Sequence, residues 1–334
     1  MVTLKDIAKE AGVSINTVSC ALRDSPRISM PVKEKVKRIA VEMGYMPNAA
    51  ARALRIKKSK VIGVIVTDIC NPVFAKMVKG IETAIKQKDY SILIGNTDEK
   101  YDMEEESVST MISKGVDGVI ITPTQQGTAS MELLKKAKIP FLLMGRRFKE
   151  YQTNYVVSDD FSGGYMAGEY FISKGHSKLV FFNGPMHISS AQEREQGLIK
   201  ALAKHQLEPV KILHIMPDMH EGYRFMKELL AFSLDFTGVF CFDDYTAFGV
   251  IKAIKEKGLH VPEDIAVIGY DNTEFAEIPD VGLTSIDFNE YRIGELAAEH
   301  IMSLIEQKSN SIEVTDTIIK QVILEPSLVI RGSV

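Results

Sequence analysis

Polar and charged side chains stand directly after several apolar runs of the sequence. They are Asp68 and Asn71 after VIGVIVT, with the aromatic Phe74 following them; Arg146 and Arg147 after FLLMG; Asn183 in FFNG; Asp243 and Asp244 after VFCF; and Asp271 and Asn272 after VIGY. Arg194 lies at the start of the helix predicted after Asn183. Carboxylates beside an arginine suit vicinal hydroxyl groups, because both make charge-assisted hydrogen bonds. Phe74 can cover the apolar face of a sugar ring. The pattern therefore indicates a site for a polyhydroxylated ligand.

Each of these residues also has a structural interpretation. Asp271 at a strand end could cap a loop, and Arg194 could be a solvated helix residue. Arg146 could either bind an acidic group of a ligand or face water, and Asp244 suits a structural role better than ligand binding. The sequence leaves these alternatives open.

Catalysis is a weaker interpretation of the same acids. The sequence contains no P-loop, no GxGxxG after a strand, no GxSxG elbow and no HExxH. The 7 histidines are scattered, and the three cysteines, Cys20, Cys70 and Cys241, have no metal-ligand spacing. Acid–base chemistry would also leave the basic N-terminal region, described below, unexplained. We expect a binding protein with no catalytic residues, no metal and no cofactor.

The strand-end residues need a fold that brings strand ends together. Ten apolar runs, from VIGVIV to LTSID, predict strands. They alternate with predicted helices, among them 73–88, 102–114, 161–174, 191–204, 245–257 and 290–307. This alternation predicts an α/β fold in which helices cover parallel sheets. Ten strands exceed one small sheet, so we expect two similar lobes with ligand at the carboxyl ends of the strands.

A different chemistry is indicated at the N-terminus, in DIAKEAGVSINTVSCAL (residues 6–22). Two short helices would meet at Gly12, and Ala8 is small enough for close packing. Asp6 and Ser14 occupy positions of N-caps or first-turn acceptors. This spacing is typical of a helix-turn-helix, whose second helix enters the DNA major groove. An ordinary helical hairpin is the alternative.

A third helix and a basic connector follow. RISMPVKEKVKRIAVEMGY predicts an amphipathic helix that completes a small bundle around Ile7, Val18, Leu22, Val36 and Ile39. After Pro47, Asn48 can cap AAARALR, which is too short to be a stable helix alone in water. It should become ordered only against DNA or a partner copy; a plain linker is the alternative. The tail RIKKSK, with Arg55 and Lys57, suits phosphate groups.

Charge is distributed unevenly along the 334 residues. Residues 1–60 hold 13 Lys and Arg against 5 Asp and Glu, a net charge of +8, and the remaining residues hold 27 against 39, a net charge of −12. A basic head on an acidic body suits a head that binds a polyanion. No apolar run approaches the roughly 18 residues of a membrane helix, and no signal-peptide core is present. We therefore expect a cytoplasmic protein.

The strings TLKDIAKEAGVSINTVS, GYMPNAAARAL and the following VIGVIV resemble the lactose-repressor/galactose-repressor (LacI/GalR) family of bacterial transcription regulators. The resemblance runs through nearly the whole chain. It implies a repressor whose operator affinity is controlled by a small-molecule effector. It also implies a homodimer that reads a pseudopalindromic double-stranded DNA operator.

The resemblance assigns roles to residues of the head. Ile15, Asn16 and Cys20 match base-reading positions, and Thr3, Thr17 and Ser19 match phosphate contacts. Leu54, with Ala51 beside it, matches a leucine that wedges into the minor groove. Cys20 departs from the longer polar side chain frequent at that position, and a thiol is a weak hydrogen-bond partner. Asn16 remains able to pair bidentately with an adenine.

For the body, the resemblance implies two lobes similar to a periplasmic binding protein. Arg194 and Asp271 match frequent effector contacts, and Phe74, Ser158 and Asp243 match positions that line the cleft. The implied domains are 1–46 for DNA binding, 47–60 for the hinge helix and linker, and 61–334 for the core. Lobe one would comprise about 61–158 and 290–320, and lobe two about 160–287 and 323–334, with crossovers near Ser158–Asp160, Ile286–Asn289 and 320–323.

The strand-end acids favour a sugar or sugar derivative as the effector. A purine co-repressor or a protein partner is the alternative within the same family. A pure sugar-binding protein, or a sugar-processing enzyme, would leave the N-terminal motif without a role.

Overall fold

The chain divides into two units, Met1–Ser59 and Lys60–Val334, in the computed structural model. The structure describes residues 2–46, 58–232, 235–278, 282–309 and 319–334. Within these ranges, no helix combines the length and the apolar character needed to cross a membrane.

Capping residues define the first two helices of the N-terminal unit. Helix α1 (Leu4–Ala11) begins with a capping box, in which the Asp6 carboxylate accepts from the Thr3 N–H at 2.9 Å and the Thr3 hydroxyl accepts from the Asp6 N–H. Helix α2 (Ile15–Ala21) is capped by Ser14, whose Oγ accepts from the Thr17 N–H at 3.1 Å. Gly12 at the bend has φ 64°, in the left-handed region that favours glycine. The predicted helix-turn-helix is confirmed.

Helix α3 (Met30–Glu42) completes the bundle with Pro31 in its first turn. Ser29 occupies the N-cap position but makes no capping hydrogen bond through its side chain. The buried core of this unit consists of Ile7, Ala8, Ala11, Val18, Ala21, Val36, Ile39 and Ala40, and Leu22 packs against it half-buried. A core this small stabilises a domain only marginally.

The second unit alternates strands and helices. Its strands are β1 (Val61–Val66), β2 (Ser91–Asn96), β3 (Gly118–Ile121), β4 (Phe141–Met144), β5 (Tyr155–Ser158), β6 (Leu179–Asn183), β7 (Lys211–His214), β8 (Gly238–Cys241), β9 (Ala266–Tyr270), β10 (Thr284–Asp287), β11 (Gln321–Leu324) and β12 (Ser327–Val329). Its helices are α4 (Pro72–Lys86), α5 (Tyr101–Lys114), α6 (Ala129–Lys136), α7 (Asp160–Ser173), α8 (Ser189–Lys204), α9 (Met219–Ala231), α10 (Asp244–Glu256) and α11 (Glu290–Ser309). All ten predicted strands are present; β11 and β12 were not foreseen as strands.

Two six-stranded sheets organise these elements into two lobes. The first sheet has the order β11-β5-β4-β3-β1-β2, and the second has the order β12-β10-β9-β8-β6-β7. The first sheet is parallel throughout, and the second is parallel except for β12, which runs antiparallel to β10. Central strands such as β3, β4 and β8 are buried along their whole length, as expected when helices cover both faces. The predicted α/β fold class is confirmed.

The chain passes between the lobes three times. It leaves the first sheet after β5 and returns after β10 into α11, which packs on α4 and against β3 and β4 of the first lobe. The third passage differs from the expectation of 320–323. Strand β11 pairs with β5 in the first sheet, so the chain changes lobes at residues 325–326, between β11 and β12. The alternation of apolar residues in QVILEPSLVI does not reveal which sheet each half joins.

Glycines allow the helix pair α7–α8 to approach closely in the second lobe. A Cβ on Gly164 would overlap the carbonyl oxygen of Arg194, and one on Gly197 would overlap the carbonyl oxygen of Phe161. The obstacles are backbone atoms, which cannot turn aside as a side chain can. The glycines therefore set the position of α8 and of Arg194, which it carries.

We expect Gly164→Ala to destabilise the protein by about 1–3 kcal/mol, the usual cost of overpacking. In an uncrowded helix the same change stabilises by roughly 0.5–1 kcal/mol, so the sign of the effect tests the close approach. Denaturant unfolding measures it, with Ser109→Ala on the exposed face of α5 as the control. A neutral or stabilising Gly164→Ala would contradict the role given to this glycine.

Candidate functional site

The carboxyl ends of strands from both lobes face one cavity of about 200 Å³. We call this cavity the cleft. All seven residues predicted for ligand binding line it: Asp68, Phe74, Arg146, Ser158, Arg194, Asp243 and Asp271. Asp68, Arg146 and Ser158 follow or end strands β1, β4 and β5, whereas Asp243 and Asp271 follow β8 and β9. Ligands of parallel α/β sheets bind at this edge.

Arg194 is held from three sides. Its Nε donates to Asp160 Oδ1 at 2.8 Å, and its Nη1 donates to the carbonyl oxygen of Phe242. The guanidinium carbon lies 3.4 Å from the centroid of the Tyr270 ring. Burial alone would lower the pKa of Arg194, but the effect of Asp160, together with smaller effects of Tyr270 and Asp271, outweighs burial and the pKa is raised. Arg194 is only 6% exposed, so it is not the solvated helix residue of the alternative interpretation.

Asp271 presents its carboxylate to the cleft from an unusual backbone. Its φ is 102°, which is rare for a residue with a side chain, and its N–H donates to Ile286 O at 2.8 Å. The side chain is 5% exposed, and its carboxylate accepts no hydrogen bond from the described residues. Burial raises the pKa of Asp271 well above its usual range; the positive charge of Arg194 opposes this effect and the negative charge of Asp243 adds to it. Backbone strain of this kind concentrates at functional sites.

Asp243 and Asp244 are neighbours with different environments. Asp243 caps α10, accepting from the Thr246 N–H at 2.7 Å, and also lines the cleft. Asp244 points away from the cleft and accepts from the Thr273 N–H at 2.7 Å and from the Ser285 hydroxyl at 2.6 Å. It holds the segment after Asp271 against β10, which is the structural role expected of it.

Arg146 pairs with Glu99, a residue that no sequence pattern indicated. Nη1 and Nη2 of Arg146 donate to the two carboxylate oxygens at 2.8 and 2.6 Å, a bidentate pair. Arg146 is 8% exposed, so it does not face water. The Arg146 guanidinium holds the pKa of Glu99 below its usual range against the effect of burial.

The cleft also contains residues that no strand-end pattern indicated. Asp160, Phe242 and Phe288 line it together with Met77 and Met216. Asp160 was available to the sequence analysis, since it lies two residues after Ser158 at a predicted crossover. Asn183, in contrast, hydrogen-bonds Ala191 O and Glu195 and is absent from the lining. Asn272 binds Asp287 and Arg331 instead.

Hydrogen bonds join the two lobes beside the cleft. Arg147 donates to Glu193 Oε1 through Nη2 at 2.8 Å, and the Ser189 N–H donates to Gln125 Oε1 at 2.8 Å. Gln125 and Arg147 belong to the first lobe, whereas Ser189 and Glu193 belong to α8 of the second. These contacts must break or lengthen if the lobes move apart on this side.

The N-terminal unit presents part of α2 to solvent. Ile15 is 49% exposed and Asn16 is exposed as well, so both can reach a partner. The Thr17 hydroxyl lies 2.9 Å from that of Ser14 and is half-buried. Cys20 lies between Asn16 Oδ1 and Arg23 Nη2, at 3.9 and 3.7 Å from its Sγ. Thr3 is exposed and Ser19 is half-buried. The remaining predicted DNA contacts, Asn48, Ala51, Leu54, Arg55 and Lys57, lie outside the described residues.

Comparison with protein families decides which class these features belong to. Residues 3–48 match the model described as bacterial regulatory proteins, lacI family. Residues 59–323 match the model described as periplasmic binding proteins and sugar binding domain of LacI family. The chain belongs to the LacI family. It is a DNA-binding transcriptional repressor with an effector-binding core and not an enzyme, as the sequence predicted.

Individual relatives of the LacI family support this assignment. The chain is 33% identical to the HTH-type transcriptional repressor PurR of Mannheimia succiniciproducens over 337 residues, which cover 100% of this chain and 99% of that protein. The ribose operon repressor of Haemophilus influenzae gives the same identity and coverage.

Solved LacI-family structures share the fold. The Lac repressor dimer bound to operator and the anti-inducer ONPF matches with a TM-score of 0.88 at 25% identity, covering 99% of this chain and 98% of that one. A regulator from Enterococcus faecium with bound ribose matches with a TM-score of 0.72 at 29% identity, covering 82% and 98%.

Asp244 makes stability depend on pH. Burial raises its pKa to about 7, whereas an unfolded Asp titrates near 3.9. The native state therefore holds a proton that the unfolded chain has lost, and the free energy of unfolding falls as pH rises from about 4 to 7. Asp244→Asn should remove part of this slope in denaturant titrations across that range.

Asp235→Asn is the control, because Asp235 is 74% exposed. The free energy of unfolding of Asp235→Asn should change with pH as steeply as that of the unmodified protein. The slope remaining in Asp244→Asn includes contributions from Asp243, Asp271, Glu193 and Glu290, whose pKa values burial also raises. An unchanged slope in Asp244→Asn contradicts the assignment.

Proposed function

We propose that a single sugar ring bound in the cleft controls the operator affinity of this repressor. Asp271 carries the proposal, because its buried carboxylate faces the cleft without a hydrogen-bond donor among the described residues. Ligand hydroxyls can donate hydrogen bonds to this carboxylate. Arg194 uses Nε and Nη1 for its hydrogen bonds to Asp160 and Phe242, so its Nη2 donates to a ligand oxygen. Phe74 covers one face of the ring.

The size and polarity of the cleft support a monosaccharide. Its volume of about 200 Å³ is below the roughly 300–1,000 Å³ typical of sites for drug-sized ligands. The lining offers more acceptors than donors, so it suits a ligand rich in hydroxyl donors. Two similar proteins, the ribose operon repressor and the regulator with bound ribose, carry the name of a monosaccharide, ribose, in their descriptions, and this also favours a monosaccharide here.

A purine is the second candidate, because the relatives include the repressor PurR and aromatic rings line the cleft. Phe74 and Phe288 would face the flat surface of a base. A base offers fewer donors than a sugar to an acid-rich lining, and we therefore place it second.

We propose that the head reads DNA as the sequence predicts, with residues 1–46 as the DNA-binding domain and 47–60 as the hinge. Two copies would bind the halves of a pseudopalindromic operator, with Asn16 and its neighbours on α2 at the base edges. Thr3, Thr17 and Ser19 would contact phosphates, and Leu54 would enter the minor groove. A protein that acts on chromosomal DNA works in the cytoplasm.

Lobe movement would couple the effector to DNA. A ligand that contacts both Asp68 of the first lobe and Asp271 of the second favours one lobe spacing over another. The hydrogen bonds of Arg147 and Gln125 to α8 change with that spacing. The movement reaches the hinge through the first lobe, whose strand β1 follows it in the chain.

Calorimetry with D-ribose, D-glucose, D-galactose, D-mannose, hypoxanthine and guanine tests the ligand class. We expect a sugar to bind and Asp271→Ala to weaken it by about tenfold to a hundredfold, because a charged hydrogen bond contributes about 1.5–3 kcal/mol. Arg224→Ala, an exposed arginine on α9, is the control and should bind normally. Binding of a purine alone, or of no compound, contradicts the sugar proposal.

Effector and operator must also affect one another reciprocally. A duplex selected from random DNA by the protein itself serves as operator. The effector affinity measured with this duplex present should differ from that measured without it, by the same factor by which the effector changes DNA affinity. Equal effector affinities in both conditions contradict the coupling.

Asn16 and Lys57 should differ in their effects on DNA recognition. Asn16→Ala should lower discrimination between the selected duplex and a scrambled one, since a bidentate base contact contributes about 1–3 kcal/mol. Lys57→Ala should weaken both complexes alike. It should also reduce the slope of the logarithm of DNA affinity against the logarithm of salt concentration by about one. Equal losses on both duplexes for Asn16→Ala would show that it reads no base.

A further inference from the structure

Acids outnumber bases in the cleft. Five carboxylates line it, those of Asp68, Glu99, Asp160, Asp243 and Asp271, against the two guanidinium groups of Arg146 and Arg194. With all of these groups ionised, the lining has a net charge of −3, from five negative and two positive charges.

Both arginines are already matched with acids. Arg146 forms its bidentate pair with Glu99, and Arg194 pairs with Asp160 at 2.8 Å. Among the described residues, no cation lies within ion-pair distance of the other three carboxylates, those of Asp68, Asp243 and Asp271, although the charge of Arg194 acts on the last two from farther away. These three come from both lobes, so their charges converge on the enclosed space.

The surroundings of Asp271 increase the imbalance. Burial raises the pKa of Asp271, as do the charges of Asp243, Asp244 and Glu290, although Glu290 has Lys76 at 3.5 Å; the charge of Arg194 lowers it. An ionised carboxylate buried without a partner is costly. The side chain of Asp271 is only 5% exposed, and none of the described residues donates a hydrogen bond to its carboxylate. The cost appears as the raised pKa of Asp271, and a positive charge on the ligand would offset it by favouring the ionised carboxylate.

We propose that the effector carries an ammonium group beside its hydroxyls, as an amino sugar does. This inference rests on the proposed sugar site and specifies its ligand. The ammonium lies against Asp271 and Asp243, where it makes charge-assisted hydrogen bonds. The aromatic rings of Phe74 and Phe288 also line the cleft, and aromatic ring faces attract cations. A phosphorylated or carboxylated sugar would instead bring a further negative charge to the acids.

Matched pairs of sugars test the charge directly. D-glucose, D-galactose and D-mannose are each compared by calorimetry with the corresponding 2-amino-2-deoxy sugar, near neutral pH where the amine is protonated. N-acetyl-D-glucosamine supplies an uncharged nitrogen, and D-glucose 6-phosphate supplies an anion. In at least one pair the amino sugar should bind about tenfold or more tightly than its parent, and the phosphate should bind least.

Two variants separate charge from shape. Asp271→Asn keeps the size of the side chain but removes its charge, and the ratio of amino-sugar to parent-sugar affinity should fall towards one. Glu274→Gln removes an exposed acid three residues away, outside the cleft, and the ratio should persist.

The outcomes distinguish this inference from the proposed function. If parent sugars bind as tightly as their amino forms, the ammonium inference is overturned and the sugar site stands. If the preference persists undiminished in Asp271→Asn, the inference is also overturned, because the charge named here does not cause it. If no sugar of either kind binds, both proposals fail.

Discussion

The cleft depends on the buried ion pair between Arg194 and Asp160. Arg194 also donates to the Phe242 carbonyl and stacks on Tyr270, so one guanidinium connects α8, the start of α7, the end of β8 and β9. Gly164 and Gly197 bring α8 near enough for this to happen. Removing one partner of a buried pair leaves an uncompensated charge. The arrangement therefore fixes the wall of the cleft before any ligand arrives.

Much of the fold follows from sequence periodicity. Ten strands and the helix-turn-helix were predictable, because continuous apolar runs bounded by turn residues are typical of buried parallel strands, and because Gly12 and Ser14 have the chemistry of a helix end and a helix start. Strands β11 and β12 were not predictable as separate elements. Glu325 and Pro326 divide QVILEPSLV, and the change of sheet there is decided by tertiary pairing.

For the cleft, sequence located the residues but not their partners. Strand ends identified Asp68, Arg146, Asp243 and Asp271, because parallel strands present their carboxyl ends together. The same rule also selected Asn183 and Asn272, whose side chains hydrogen-bond within the second lobe. Pairing of Arg146 with Glu99 joins the ends of β4 and β2, which are separated by β3 and β1 in the sheet, and no local pattern reveals it.

The order of the strands also has a consequence during synthesis on the ribosome. Strand β5 forms an open edge of the first sheet until β11, about 160 residues later, covers it. A nascent chain thus exposes the backbone of Tyr155–Ser158 while strands β6 to β10 of the second lobe are being made. Unpaired edges of this kind invite pairing with other chains. Nascent copies crowded on one messenger RNA can pair through this edge until β11 covers it.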